Sequence, residues 1–114
     1  MNSVTITAPT AGYLIISGHA FVNNQDASRD YVLVPYVDGA TSNGLWGAEF
    51  RAAADGAGAA ELFELSYTKP VAVTAGAHTV TQRLGPTTGT ATFFHNNEEL
   101  TVLFVPNGSI TTTA

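Results

Sequence analysis

Short apolar stretches alternate along the whole chain with clusters of Gly, Pro, Asn and Asp. The stretches are rich in Val, Thr, Tyr and Phe, which favour β-strands, and the clusters favour turns because Gly, Asn and Asp accept a positive φ. A segment at 52–65 contains enough Ala, Glu and Leu for a helical turn, but Gly56 and Gly58 favour a loop followed by a strand. The predicted strands are Val4–Thr7, Gly12–Val22, Tyr31–Val37, Leu45–Arg51, Glu61–Tyr67, Val71–Val73, His78–Leu84, Thr90–His95 and Leu100–Val105. Eight or nine strands at this spacing predict an all-β fold, a jelly-roll sandwich of two antiparallel sheets.

Three of these strands carry apolar residues on both faces. A strand with one face in water alternates apolar and polar residues, as residues 78–84 do. Residues 12–22, 31–37 and 100–105 break this rule, and each large apolar side chain left in water forgoes about 1.5–3 kcal/mol. Self-association would bury the second faces; the alternative is that the long loops 23–30 and 38–44 cover them. The interface candidates are Tyr13, Leu14, Ile16, Val32, Val34, Tyr36, Leu103 and Val105.

Three short motifs follow one another in the order found in C1q/TNF-like jelly-roll domains. Residues 7–15 (TAPTAGYLI) resemble the Pro…Gly-Tyr opening strand of that family. Residues 73–80 (VTAGAHTV) resemble its late strand, and residues 100–106 (LTVLFVP) resemble its closing core strand. The resemblance implies a jelly-roll domain over residues 1–106 with a polar tail at 107–114. It also implies a homotrimer, in which the early, middle and closing strands form one inner sheet around a threefold axis. The chain departs from the family in its incomplete set of aromatic residues and in having no collagen-like stalk.

Composition excludes several classes of function. Hydrophobic residues make up 45% of the 114 residues and charged residues 11%, which excludes an intrinsically disordered chain. The net charge is −5, and the four basic residues are scattered, so no basic surface for nucleic acid is expected. The chain has no cysteine, which excludes disulfides and thiolate metal sites, and its apolar runs are far shorter than the roughly 20 residues that span a bilayer.

The candidate catalytic groups do not form a recognisable constellation. The carboxylate pairs Glu61/Glu64 and Glu98/Glu99 have odd spacings, which point the two side chains to opposite faces of a strand. We therefore predict no catalytic residues and no cofactor.

The three histidines lie far apart in the sequence, at His19, His78 and His95. None has the neighbour at i+2 or i+4 that marks a zinc site, and no metal site is predicted, although a threefold axis could repeat one of them three times. For His78, at the start of a strand, we expect a ring hydrogen bond to a loop carbonyl.

Two places could bind a ligand or a partner. The oxygen-rich loop at 23–30 offers Asn23, Asp26 and Asp30 to a cation such as Ca²⁺, although Arg29 could pair with an aspartate instead. Trp46, between two glycines at 44 and 47, could stack on a sugar ring or pack into a partner.

These observations favour a non-enzymatic, trimeric structural or interaction protein. An acidic, cysteine-free chain without a signal-peptide pattern fits a bacteriophage virion surface, as a capsid decoration or fibre-tip protein that contacts a capsid or fibre protein. The alternative is a carbohydrate-binding, lectin-like module that is part of a larger extracellular or cell-surface protein. An enzyme is disfavoured because no nucleophile is paired with a base.

Overall fold

The computed structural model describes residues 2–24, 29–39, 48–52, 61–86 and 93–106, and most of these residues lie in β-strands. The strands are β1 (Asn2–Ala8), β2 (Gly12–Asn24), β3 (Arg29–Val37), β4 (Ala48–Ala52), β5 (Glu61–Val73), β6 (Gly76–Pro86) and β7 (Phe93–Pro106). Within the described ranges no helix is long and apolar enough to cross a membrane.

The strands form two antiparallel sheets. The four-stranded sheet has the order β1-β6-β3-β4, and the three-stranded sheet has the order β5-β2-β7. Buried residues of both sheets form one core cluster, so the sheets pack face to face as a β-sandwich. The predicted all-β fold with two antiparallel sheets is confirmed.

The first two strands and the fifth and sixth strands form one long antiparallel ribbon. β1 pairs with β6 from Asn2↔Gln82 to Ala8↔Gly76, and β2 pairs with β5 from Gly12↔Val73 to Asn24↔Glu61. The ribbon passes from one sheet to the other at a bend formed by residues 9–11 and 74–75. Gly76 has a φ of 121°, a backbone conformation that residues with a side chain rarely adopt. Gly12 is required for a different reason, because a Cβ at this position would collide with the carbonyl oxygen of Val105. The glycines that flank the bend are therefore structural requirements.

Two pairs of predicted strands are single strands in the structure. The predicted break at Lys69-Pro70 is wrong because β5 is an edge strand, where a proline nitrogen can face away from the sheet. The predicted break at residues 96–99 is a β-bulge within β7, where the register with β2 shifts and Asn97 has a φ of 51°. The predicted strand residues 45–47 and 90–92, and most of the loop before β5, lie outside the described residues.

The core separates the two faces of β2 cleanly. Leu14, Ile16, Ala20 and Val22 are fully buried, together with Tyr31, Leu33 and Val80 of the opposite sheet. This corrects two interface candidates: Leu14 and Ile16 pack within a single copy of the chain, so no surface of theirs remains for a neighbour.

The expected inner sheet of early, middle and closing strands is wrong. β2 and β7 are neighbours in the three-stranded sheet, but β3 pairs with β6 in the four-stranded sheet. The candidates Val32, Val34 and Tyr36 therefore lie on the opposite side of the sandwich from Tyr13, Leu103 and Val105. The eight candidates do not form one surface, and any role of the remaining six at an interface stays a prediction.

Candidate functional site

The outer surface of the three-stranded sheet is formed by the side chains of β5, β2 and β7 that point away from the core. We call this surface the β2 face. In an antiparallel sheet directly paired residues share a face, so the register gives its composition. Along β2 it contains Tyr13, Ile15, Ser17, His19 and Phe21, which are all half-buried.

The β2 face is apolar at the end next to the bend. Tyr13 pairs with Val105, and Ile15 pairs with Leu103 on β7. On the other side Ile15 pairs with Pro70 of β5. Leu103 is 60% exposed, although apolar neighbours surround it. This end of the sheet therefore presents a patch of aliphatic and aromatic surface to water.

The far end of the β2 face carries a second apolar group. Phe94 is 65% exposed, and it pairs with Asn23 two residues beyond Phe21. In a regular strand Phe94 and Leu103 would point to opposite faces, because they are nine residues apart. The bulge in β7 shifts the alternation by one residue and places both on the β2 face. This shift is why sequence reasoning missed Phe94 as a surface residue, although Ile15 could have been found from its alternation with Tyr13.

A polar band separates the two apolar ends. Ser17 lies within 3.3 Å of the Thr68 hydroxyl, and next to them the His19 ring contacts two oxygens. Its Nδ1 is 3.1 Å from the carbonyl oxygen of Asn97, and its Nε2 is 3.1 Å from Glu64 Oε1. The ring also packs edge-on against Phe21, with the centroids 5.0 Å apart. Both nitrogens of His19 are thus occupied by neighbours.

The outer surface of the four-stranded sheet, which we call the β6 face, has a different chemistry. Hydroxyls pair across β1 and β6, with Ser3 3.5 Å from Thr81 and Thr5 3.2 Å from Thr79. Further along, the guanidinium carbon of Arg83 lies 4.6 Å above the Tyr36 ring, a cation–π contact. The interface candidates of this sheet offer less exposed surface to a neighbouring copy than the sequence pattern indicated. Val34 is only 7% exposed, and Val32 and Tyr36 are half-buried.

A buried polar network connects the two sheets. The Tyr67 hydroxyl donates to Gln82 Oε1 at 2.7 Å, and the fully buried Gln82 donates through Nε2 to the carbonyl oxygen of Glu99 at 3.1 Å. Gly18 makes room for this network, because a Cβ there would collide with Gln82 and Tyr67. Burial, aided by the Glu98 carboxylate, raises the pKa of Tyr67, so its hydroxyl stays a donor.

A second cluster lies beside the bend. His78 Nδ1 is 2.7 Å from Asp38 Oδ2, and His78 Nε2 is 2.7 Å from the carbonyl oxygen of Thr74. The Thr79 amide donates to Asp38 Oδ1 at 2.9 Å. The hydrogen bonds to Asp38 and then to Thr74 raise the pKa of His78, and the His78 and Thr79 donors lower that of Asp38. The predicted hydrogen bond from His78 to a loop carbonyl is confirmed.

A cavity of about 340 Å³ lies between the ends of β6 and β7. Arg83, Leu84, His95 and Glu98 line it. Its walls combine both signs of charge with one aliphatic side chain, and this mixture selects no particular class of ligand.

The predicted ligand residues are only partly described. Asn23, at the end of β2, and Asp30, at the start of β3, are both half-buried. Asp26 and Trp46 lie outside the described residues, so the calcium and sugar hypotheses stay predictions. Among the described residues, no three His, Asp or Glu side chains are placed to hold a metal ion together.

No protein-family model, no curated protein and no solved structure matches this chain.

Proposed function

We propose that the chain is a non-enzymatic structural or interaction protein that self-associates through the β2 face. One observation carries this proposal: the two large hydrophobic side chains with the highest exposure among the described residues, Leu103 and Phe94, both lie on that face. They flank a polar band on the same sheet, so the whole outer surface of that sheet can take part in one contact.

Exposed apolar surface is what makes self-association favourable. Tyr13, Ile15 and Val105 are half-buried beside Leu103, so covering the patch removes further apolar area from these three neighbouring side chains. Burying a Leu or Ile side chain contributes about 1.5–3 kcal/mol relative to leaving it in water. The polar band would fix how two copies align, since serine, threonine and histidine side chains need hydrogen-bond partners when another copy covers them.

The finer fold that we propose is a jelly roll, and the stoichiometry is a homotrimer. The ribbon of β1–β2 against β6–β5, wound across both sheets, is the kind of connection on which a jelly roll is built. The C1q/TNF-like motifs at residues 7–15, 73–80 and 100–106 support both points. The position of β3 in the other sheet means that the threefold contact, as proposed, uses β2 and β7 without β3.

The absence of catalysis is also part of the proposal. General acid–base chemistry needs a group free to exchange a proton with a substrate. Both ring nitrogens of His19 and of His78 contact protein oxygens, and the Tyr67 hydroxyl is engaged with Gln82. These three residues support a structural role in preference to a catalytic one.

The setting that we propose is the surface of a bacteriophage virion, as a capsid decoration or fibre-tip protein. The acidic, cysteine-free sequence and the trimeric resemblance support this setting. Mass spectrometry of gradient-purified particles from the source of this chain tests it. Recovery of the chain at a fixed ratio to the shell protein supports the setting, and its loss from washed particles contradicts it.

The mass of the purified chain in solution tests self-association. By sedimentation equilibrium we expect a species of three times 11.9 kDa at micromolar concentration. Leu103→Asp should shift the population to monomer by at least tenfold, because a buried carboxylate is costly. The matched control is Thr5→Asp on the β6 face, which should leave the trimer intact. A monomeric wild-type chain, or equal effects of the two variants, would contradict the proposal.

A further inference from the structure

We infer that His78 is a proton-dependent clip: as an imidazolium it ties the bend of the ribbon to the turn after β3, and losing its proton opens this connection. The inference concerns the four-stranded sheet and is independent of self-association through the β2 face.

The atoms around the ring decide its protonation. A neutral imidazole has one N–H donor and one acceptor nitrogen, whereas the imidazolium has two donors. The partners of the two nitrogens are the Asp38 carboxylate and the Thr74 carbonyl, both at 2.7 Å, and both oxygens accept. Only the imidazolium satisfies both, and the short distances are those of charge-assisted hydrogen bonds.

Contacts other than the one with His78 fix the position of Asp38. Its amide donates to the carbonyl oxygen of Thr79 at 2.8 Å, while Oδ1 accepts from the Thr79 amide at 2.9 Å. The residue has a φ of 54°, a left-handed conformation that aspartate tolerates and that ends β3. Because the carboxylate is anchored to β6 in this way, its second oxygen is directed at the ring.

The clip joins three segments that are separate in the sequence. Thr74 lies in the corner between β5 and β6, His78 lies four residues later on β6, and Asp38 follows β3. The His78 side chain is 11% exposed and the Asp38 side chain 51% exposed, so the ring is covered while its carboxylate partner remains in contact with water. Without the clip, the corner carbonyl of Thr74 loses the donor that fixes it, next to Gly76 with its positive φ.

The pH dependence follows from the groups that face the ring. Asp38 supplies the charge, Thr74 the carbonyl, and on β1 the residue paired with His78 is Ile6. Since the pKa of His78 is raised above its ordinary value of 6.5, its contribution to stability is complete below 6.5 and is lost as the pH rises through the folded-state pKa. The pKa of Asp38 is lowered from 3.8, so its contribution is complete above 3.8 and is lost as the pH falls through its folded-state value. The clip is therefore closed in mildly acidic solution and opens on the alkaline side.

Nuclear magnetic resonance of the ¹⁵N-histidine-labelled full-length chain tests this inference. At pH 6 we expect both ring nitrogens of His78 to carry a proton, with a titration midpoint above that of histidine in the unfolded chain. Asp38→Asn should lower the midpoint, because it removes the charge while keeping the shape of the side chain. The matched control is Glu64→Gln, which removes the carboxylate that faces His19 and should leave the His78 titration unchanged.

A second measurement follows the melting temperature between pH 5 and 9. The wild-type value should fall on the alkaline side, and His78→Gln should remove most of that fall while lowering the melting temperature at pH 5.5. A titration midpoint at or below 6.5, one unprotonated ring nitrogen at pH 6, or equal effects of Asp38→Asn and Glu64→Gln would overturn the inference. If His78→Gln fails to fold, the titration of the wild-type ring decides alone.

Discussion

The two outer faces of the sandwich are both built from antiparallel strands, but their side chains differ in chemistry and in exposure. On the β6 face, hydroxyls pair with one another across β1 and β6, and Arg83 covers the ring of Tyr36. On the β2 face, Leu103 and Phe94 remain in water at the two ends of a polar band. On the first surface the described hydroxyls pair with one another, while on the second Leu103 and Phe94 are the large apolar side chains that stay mostly exposed among the described residues. Outward alternation alone therefore does not create an apolar surface, because the neighbours on the same sheet decide how much of each side chain stays exposed.

The largest expected effect tests the division of β2 into a core face and an outer face. Ile16→Ala removes a fully buried side chain and should lower the free energy of unfolding by about 2–5 kcal/mol. Ile15→Ala, one residue earlier on the half-buried β2 face, should cost less than half as much. Urea denaturation at low protein concentration measures both. Equal losses would mean that the two faces are not distinguished by burial.

The next effect concerns the space between the sheets, on which both outer faces depend. Gly18→Ala places a methyl group against Gln82 and Tyr67 and should destabilise the fold by about 2–3 kcal/mol. Gly85→Ala is the control, because nothing lies near its added Cβ and its backbone is free of positive φ. Thermal unfolding distinguishes the two variants, and a stable Gly18→Ala protein would contradict the packing described for the network.

A smaller loss is expected when one tyrosine hydroxyl is removed from the buried network between the sheets, and a still smaller one when it is removed from the β6 face. Tyr67→Phe leaves Gln82 Oε1 buried without its donor and should cost about 1–2 kcal/mol. Tyr36→Phe, on the β6 face, keeps the ring beneath Arg83 and should be close to neutral. Chemical denaturation of the two variants measures the difference between their free energies of unfolding. If Tyr36→Phe costs as much as Tyr67→Phe, burial does not explain the effect.

The smallest change sharpens the contrast between the faces. Replacing Thr5 and Thr79 together by valine removes one hydroxyl pair from the β6 face and should change stability by no more than about 0.5 kcal/mol. Light scattering then shows whether added apolar area on this face is sufficient for association. We expect no new oligomer, since the two valines add a small patch with no exposed leucine or phenylalanine beside it.

Local patterns predicted the fold class and most strand positions. Alternation assigned Leu14 and Ile16 to one side of β2 and Tyr13 to the other, and the structure buries the first pair in the core. The same alternation could not decide which of two apolar sides was the inner one, and for this reason Leu14 and Ile16 were expected at an interface. That decision is made by the opposite sheet, which a strand pattern does not contain.

Long-range features could not be predicted from the sequence. The placement of β3 beside β6 depends on pairing between residues that lie from 43 (Val37 and Val80) to 55 (Tyr31 and Pro86) positions apart. The contact between His78 and Asp38 spans 40 residues and has no motif. Pro70 and Asn97 were interpreted as strand breaks because both residues favour turns, whereas an edge position and a bulge accommodate them.

The long ribbon also has a consequence for synthesis on the ribosome. Asn2 pairs with Gln82, so the first strand waits for 80 further residues before its partner exists. At about 5–20 residues per second this delay is roughly 4–16 s. For most of that time β2, with its two apolar faces, has neither β5 nor β7 beside it, because both partner strands lie later in the chain. Until β5 and β7 are made, the apolar side chains of β2 lack their sheet neighbours, and this is the stage of synthesis at which the chain exposes most apolar surface.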